Sequence, residues 1–179
     1  MKKLIYILLS LVLITGCTDL SNTPTKKTEE FLKKYQTLDS NVMTDLNKVV
    51  EEEVTFSRAQ KEKYKTIMKK HYQNITYEIK EDEINGDDAK VTAEIEVTDF
   101  RKVINETNTY LQEHTEEFLD ELGNYNNSKY NDYRLESLSN AKDKVKYTID
   151  IYLTKVDGKW KVNTPSQDVL DKINGIYNY

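Results

Sequence analysis

Two stretches alternate apolar and polar residues, and each is joined to a tight-turn signal. Ala89, Val91, Ala93, Ile95 and Val97 are separated by Lys90, Thr92, Glu94 and Glu96. Val145, Tyr147, Ile149, Ile151 and Leu153 are separated by Lys146, Thr148, Asp150 and Tyr152. Successive side chains of a strand point to opposite faces, so each run makes one apolar face and one wet face. Ile84-Asn85-Gly86-Asp87-Asp88 links the first run back to Ile75, Tyr77 and Ile79, and Asp157-Gly158 links the second on to Trp160 and Val162. Asn-Gly and Asp-Gly tolerate the positive φ that short hairpin loops require. The pattern predicts two antiparallel hairpins, about four strands, whose apolar face must be covered by something else.

The cover is written at helical spacing. Phe31, Leu32, Tyr35 and Leu38 share one helix face, and Met43, Leu46, Val49 and Val50 another, with Asp39 or Ser40 as the N-cap. Ser57-Arg58-Ala59-Gln60 has the form of a capping box ahead of Tyr64, Ile67, Met68 and His71. Asp99 is placed to cap a helix carrying Val103, Ile104, Thr107, Leu111, His114, Phe118 and Leu122, with Gly123 as its stop. Residues 124–132 read as a polar, Tyr-rich loop before a shorter helix with Tyr133, Leu135 and Leu138. Pro165-Ser166 opens a last helix with Val169, Leu170 and Ile173. The expected fold is α+β: N-terminal helices, an antiparallel sheet of two hairpins split by a helical middle, and a C-terminal helix.

The first residues are of a different kind. Lys2 and Lys3 precede an apolar run over residues 4–14, which is 11 residues long. A permanent membrane span needs about 20, whereas a secretory signal has an apolar core of this length. Ile14, Thr15 and Gly16 then lead to Cys17, the single cysteine of the chain. That order resembles a bacterial lipobox. The resemblance implies that signal peptidase II recognises Ile14, Thr15 and Gly16 and cuts before Cys17, whose thiol carries a diacylglyceryl group. The alternative is an ordinary secretory signal that happens to contain a cysteine. A lone cysteine has no partner for an internal disulfide, and acylation gives it a use. The expected layout is a signal peptide at 1–16, the lipidated Cys17 with a tether to residue 27, and one domain over 28–179. The expected location is the outer face of the cytoplasmic membrane.

Removing residues 1–16 takes two lysines and no acid, so 26 basic residues become 24 against 31 acidic, and the formal charge goes from −5 to −7. A chain this acidic lacks the basic surface that phosphate backbones demand, so no nucleic-acid partner is expected. The 37% of apolar residues fall in periodic patterns, which is the mark of a folded chain.

The stretch YKTIMKKHYQNITYEIKEDEINGDDAKVTAEIEV and the ending VDGKWKVN look like those of small membrane lipoproteins of Gram-positive type. Their domains are similar to the cystatin-like, nuclear-transport-factor-2-like α+β superfamily. The resemblance covers roughly residues 28–164, and the stretch from 99 to 143 is more helical than that pattern. It implies a cone of helices and curved sheet. Members include enzymes, transport factors and binding modules, so the resemblance leaves function open.

Enzymes of that superfamily place an acid and a tyrosine inside the cone. Here the residues expected inward are Ile75, Tyr77, Ile79, Val91, Ala93, Ile95, Val145, Tyr147, Ile149, Ile151, Leu153 and Trp160, with no Asp, Glu or His among them. A buried general base needs such a group, and Tyr77 and Tyr147 read as core aromatics. The only histidines, His71 and His114, are too few for a metal centre. Glu51-Glu52-Glu53 and Glu81-Asp82-Glu83 lack the spacing of a calcium loop. No cofactor is expected. The chain has 13 tyrosines, and Tyr125, Tyr130 and Tyr133 offer a partner surface, since tyrosine is enriched at interfaces. The expectation is a lipid-anchored extracytoplasmic module without catalytic activity, binding a protein partner or a small apolar ligand. The alternative is an envelope enzyme or small-ligand carrier of the cone-shaped superfamily.

Overall fold

Helices α1 (Pro24–Gln36), α2 (Ser40–Glu52) and α3 (Arg58–Gln73) precede the first hairpin, β1 (Thr76–Asn85) and β2 (Asp88–Thr98). The helical middle follows as α4 (Phe100–Glu113), a 3-10 turn (Thr115–Phe118) and α5 (Asn127–Asn140). The second hairpin, β3 (Lys144–Val156) and β4 (Lys159–Val162), leads to α6 (Gln167–Ile173). The computed structural model describes residues 21–178, so Ile14, Thr15, Gly16 and Cys17 lie outside the described residues. The architecture is α+β, in the order the patterning predicts.

The sheet is antiparallel throughout, in the order β1-β2-β3-β4. Ile95 stands opposite Tyr77 on one side and Tyr147 on the other, and Ala93 opposite Ile79 and Ile149. The apolar sets of three strands therefore share one face, and that register makes the core. Val91, Ala93, Ile95 and Val97 are fully buried, with Ile149, Ile151 and Leu153 beside them. Helices α1 and α6 pack directly on this face, and α3 packs against α1 and α5. Both hairpin loops fall at the same end of the sheet, where the Lys155 N–H donates to the Asp87 carbonyl at 2.7 Å. Asp157 and Gly158 both have positive φ, at 53° and 75°, as a two-residue hairpin loop demands. Tyr77, Ile79 and Val145 are only half-buried, and the outer half of β1 is exposed beyond a register shift between Ile79 and Glu81. Charged residues on that free edge discourage pairing with another chain.

Most caps fall where the sequence puts them. Asp39, Asp99 and Ser166 each accept a backbone N–H at the start of a helix, and Ser57 and Gln60 form the reciprocal capping box.

Four expectations are corrected. The helix after Asp99 stops at Glu113 instead of continuing to Leu122. The backbone leaves helical geometry at His114 (φ −130°, ψ 41°) and a separate 3-10 turn follows; beyond it the Asp120 carboxylate accepts the N–H groups of Leu122 and Asn124 at 2.8 and 2.9 Å, which holds a local turn there. Leu122 is left 86% exposed. The expected Tyr-rich loop is mostly helix α5, which starts at Asn127 because the Asn126 side chain accepts from the Lys129 N–H. Val49, expected on a buried face, is 57% exposed. Finally, α1 begins at Pro24, inside the expected tether, with Thr23 as N-cap and proline at a position that needs no N–H. Just before it, the Asn22 side chain donates to the Gly158 carbonyl and accepts from the Trp160 N–H, both at 2.9 Å. The chain is thus fastened to the β3–β4 loop from Asn22 onward.

Gly175 and Gly86 separate two kinds of glycine. Both have positive φ, but a Cβ on Gly175 would meet the Thr98 carbonyl oxygen at 2.2 Å, whereas one on Gly86 would meet nothing within 4 Å. Gly86→Ala is expected to cost about 1 kcal/mol from the backbone conformation alone. Gly175→Ala is expected to cost more than twice that, because Thr98 has to move. Urea denaturation of the two variants beside the parent measures both, and equal costs would contradict the close approach.

Candidate functional site

Helix α5 is nearly polar in sequence, and specific side chains hold it in place. Gln60 is 3% exposed. Its amide oxygen accepts the Ser57 N–H at 2.9 Å, while its NH2 group donates to the Ser128 carbonyl at 3.0 Å and to Asp132 Oδ1 at 2.8 Å. Asn131 Nδ2 donates to the Thr55 carbonyl at 3.1 Å. One buried amide thus caps α3 and ties it to α5. Leu138, near the end of α5, borders two separate clefts.

The first cleft has a volume of about 330 Å³, at the small end of ligand-sized pockets. Val49, Phe56, Tyr64, Ile104, Leu138 and Ile176 give it an apolar wall, and Glu52, Glu53 and Arg134 complete it. The Arg134 guanidinium lies over the rings of Phe56 and Tyr130, 5.6 and 5.8 Å from their centroids. The Glu53 carboxyl is held below the usual carboxylate range by hydrogen bonds from the Thr55 hydroxyl and N–H, and the Arg134 charge adds to this.

The second cleft, of about 280 Å³, lies between α3, the start of α4 and the connection from α5 to β3. Lys70, Lys142 and Lys144 line it with His71, Thr98 and Phe100, and no carboxylate is in its wall. The Lys144 ammonium donates to Thr98 Oγ1 at 3.3 Å. The His71 ring is 3% exposed and stacks on Phe100 at 4.6 Å between centroids. Its Nε2 lies 2.8 Å from the Ile173 carbonyl. A carbonyl only accepts, so Nε2 carries the proton and Nδ1 is a bare acceptor. Nδ1 is shielded from solvent and has no partner among the described residues. Burial pushes the imidazole pKa down to about 4; the Ile173 carbonyl opposes this and the nearby Lys144 charge adds to it.

The tyrosines are placed differently from expectation. Tyr130 is 6% exposed, donates to Asn108 Oδ1 at 2.6 Å and packs edge-on against Phe118. Tyr133 is half-buried and stacks on Tyr110, which stacks in turn on His114. Tyr125, paired in a β-bridge with Leu119, is 48% exposed. Two of the three therefore belong to an internal aromatic cluster, and only Tyr125 presents open surface.

The centre of the sheet's inner face is filled by its own side chains, and the two clefts described lie among the helices. Among the described residues no three His, Cys, Asp or Glu side chains come together as a metal site requires, and no helix is long and apolar enough to cross a membrane. The cleft residues were hidden in the sequence. Arg134 and Ile176 fit no motif, and the three lysines come from segments more than 70 positions apart. Val49 reads in the sequence as part of a buried helix face, and the structure leaves it exposed at the cleft. Comparison of the chain with protein-family models, with curated proteins and with solved structures found no match.

The His71 environment has a consequence for stability. A histidine whose folded pKa is depressed gives its full stabilising contribution above the unfolded value near 6.5 and loses it as pH falls toward about 4. The loss over that window is about 3 kcal/mol. His71→Gln is expected to flatten the pH dependence of urea stability between pH 6.5 and 4. In the parent, the His71 ring signals in NMR should still report neutral imidazole at pH 5; charged imidazole there would refute the burial argument.

Proposed function

We propose that the chain is a lipid-anchored extracytoplasmic binding module without catalytic activity, held on the outer face of the cytoplasmic membrane through Cys17, and that its apolar cleft takes a small apolar ligand. The observation that carries the binding role is the cleft walled by Val49, Phe56, Ile104 and Leu138, left open while the sheet's own face is filled. Helices packed on one face of an antiparallel sheet fit membership of the cystatin-like, nuclear-transport-factor-2-like superfamily as a ligand-holding member. No carboxylate or histidine stands on the inner face of the sheet where the enzymes of that superfamily work.

The anchor rests on the order of charge, apolar run, small residues and cysteine at the N-terminus. Asn22 adds a geometric consequence. Five residue steps separate Cys17 from Asn22, a reach of at most about 18 Å. The lipid would therefore hold the hairpin-loop end of the sheet close to the membrane.

Two measurements test this. Native mass spectrometry of residues 18–179 from a bacterial host should show a retained mass of ligand size, roughly a few hundred daltons, and Val49→Glu should abolish it. A bare mass in every preparation would sink the ligand reading. Cys17→Ala should leave an unprocessed precursor that takes up no lipid label; normal acylation of that variant would refute the anchor.

A further inference from the structure

We infer that the apolar cleft beside Phe56 holds a small zwitterion: an apolar body whose carboxylate meets Arg134 and whose ammonium meets Glu53, of the class of apolar α-amino acids and their shortest peptides. The inference rests on the ligand reading of that cleft and adds the head group that reading leaves open.

Unlike charges kept apart are the first ground. Glu52, Glu53 and Arg134 are the charged side chains of a wall that is otherwise apolar or aromatic. Arg134 is near enough to Glu53 for its charge to favour the ionised carboxyl. Yet among the described residues no carboxylate lies within ion-pair distance of Arg134, and none of its N–H groups has an acceptor; its contacts are the rings of Phe56 and Tyr130. The neighbouring Glu51 turns instead to Lys61 and Lys65. A cation and an anion therefore border one apolar recess without neutralising each other by contact.

The second ground is that each charge is held in place by something other than its opposite. The guanidinium is stacked between two aromatic rings. Glu53 Oε1 accepts the Thr55 N–H and hydroxyl at 3.0 and 2.6 Å, while Oε2 has no donor among the described residues. The elements that carry them are tied together, since Asn131 Nδ2, one turn before Arg134 on α5, donates to the Thr55 carbonyl at 3.1 Å. Closing the gap into a direct ion pair would break the stacking or the Thr55 bonds. A gap fixed in this way costs a ligand little to enter, because the groups that receive it are already ordered.

The chemistry of the occupant follows from what the recess would penalise. An uncharged apolar molecule would take water from Arg134 and Glu53 and give them no partner. An apolar anion suits Arg134 and is repelled by Glu53; an apolar cation suits Glu53 and is repelled by Arg134. A molecule that carries both charges at one end of an apolar body satisfies each. The volume of about 330 Å³ suits a metabolite of that size and is too small for a long acyl chain.

The test is calorimetric titration of the full chain in lipid nanodiscs at pH 7 with four compounds that share one branched aliphatic body: leucine, isoamylamine without the carboxylate, 4-methylpentanoate without the ammonium, and uncharged 4-methylpentanol. Leucine should bind saturably, and each of the others about tenfold or more weakly, since one or both charge-assisted contacts are missing. E53Q keeps an oxygen for Thr55 and loses only the charge; it should weaken leucine about tenfold and leave 4-methylpentanoate no weaker. R134Q should weaken leucine by a similar factor and leave isoamylamine no weaker. Should R134Q fail to fold by urea denaturation, E53Q alone carries the test. Dileucine separates the sources: tighter binding than leucine assigns the site to short peptides, weaker binding to free amino acids. Leucine bound no tighter than 4-methylpentanol, or bound by E53Q as tightly as by the parent, would overturn the inference while the apolar cleft remains a ligand site. No saturable heat from any of the compounds at millimolar concentration would overturn it together with the ligand reading.

Discussion

The pairing of β2 with β3 is the contact on which the rest of the structure depends. These strands belong to different hairpins and are separated by the whole helical middle, yet they pair without a break from Asp88 opposite Thr154 to Thr98 opposite Lys144. Each hairpin alone would bury little and would be marginal in water. Joined, they make one apolar face broad enough for α1 and α6 to cover. A slip of one residue would turn Val91, Ala93 and Ile95 to solvent, so the buried face itself fixes the register. The same register decides that both hairpin loops lie at one end and that the helical middle leaves from and returns to the other. The two ends of the molecule therefore differ in kind: one is tight loops, the other is helix termini and clefts.

The C-terminal segment finishes the second of those ends. The Ile173 carbonyl accepts from His71, Asn174 Oδ1 accepts from the Tyr72 hydroxyl at 2.8 Å, and the Gly175 carbonyl accepts from the Arg101 N–H at 2.8 Å. Three consecutive residues thus bind α3 and α4 together, and glycine lets the last of them pass against Thr98. This arrangement buries His71 and fixes its tautomer. The chemistry at Nδ1 is then a result of packing about 100 positions away in the chain.

How far the sequence could be read follows from this geometry. Hairpins and caps are local: Asp157-Gly158, Ser57 with Gln60, and Asp99 each act on residues within a few positions, so their signatures survive without a structure. The end of α4 is hidden in the sequence because Val103 to Leu122 keeps helical spacing, and nothing in that spacing shows that the backbone turns out of helix at His114. Helix α5 was read late because its first turn, Asn127-Ser128-Lys129, is polar and looks like loop until Asn126 is seen to cap it. Tyr130 and Tyr133 were read as surface for the same reason: on a helix they turn inward onto Phe118 and Tyr110. The clefts were not readable at all. Thr98 and Lys144 meet only through the β2–β3 register, and Lys70 reaches them from helix α3.

On the wet face of the sheet Glu94 meets Lys146 at 3.0 Å and Lys80 at 3.9 Å, and Lys90 meets Glu83 at 2.6 Å. Such exposed pairs contribute little to stability, since water and salt screen them. At the helical end Lys102 pairs with Asp143, while among the described residues Lys70, Lys142 and Lys144 around the second cleft have no carboxylate within ion-pair distance. A hydrated lysine on an open surface needs no partner, but the same charges around a recess act together, because the protein walls exclude part of the water that would screen them.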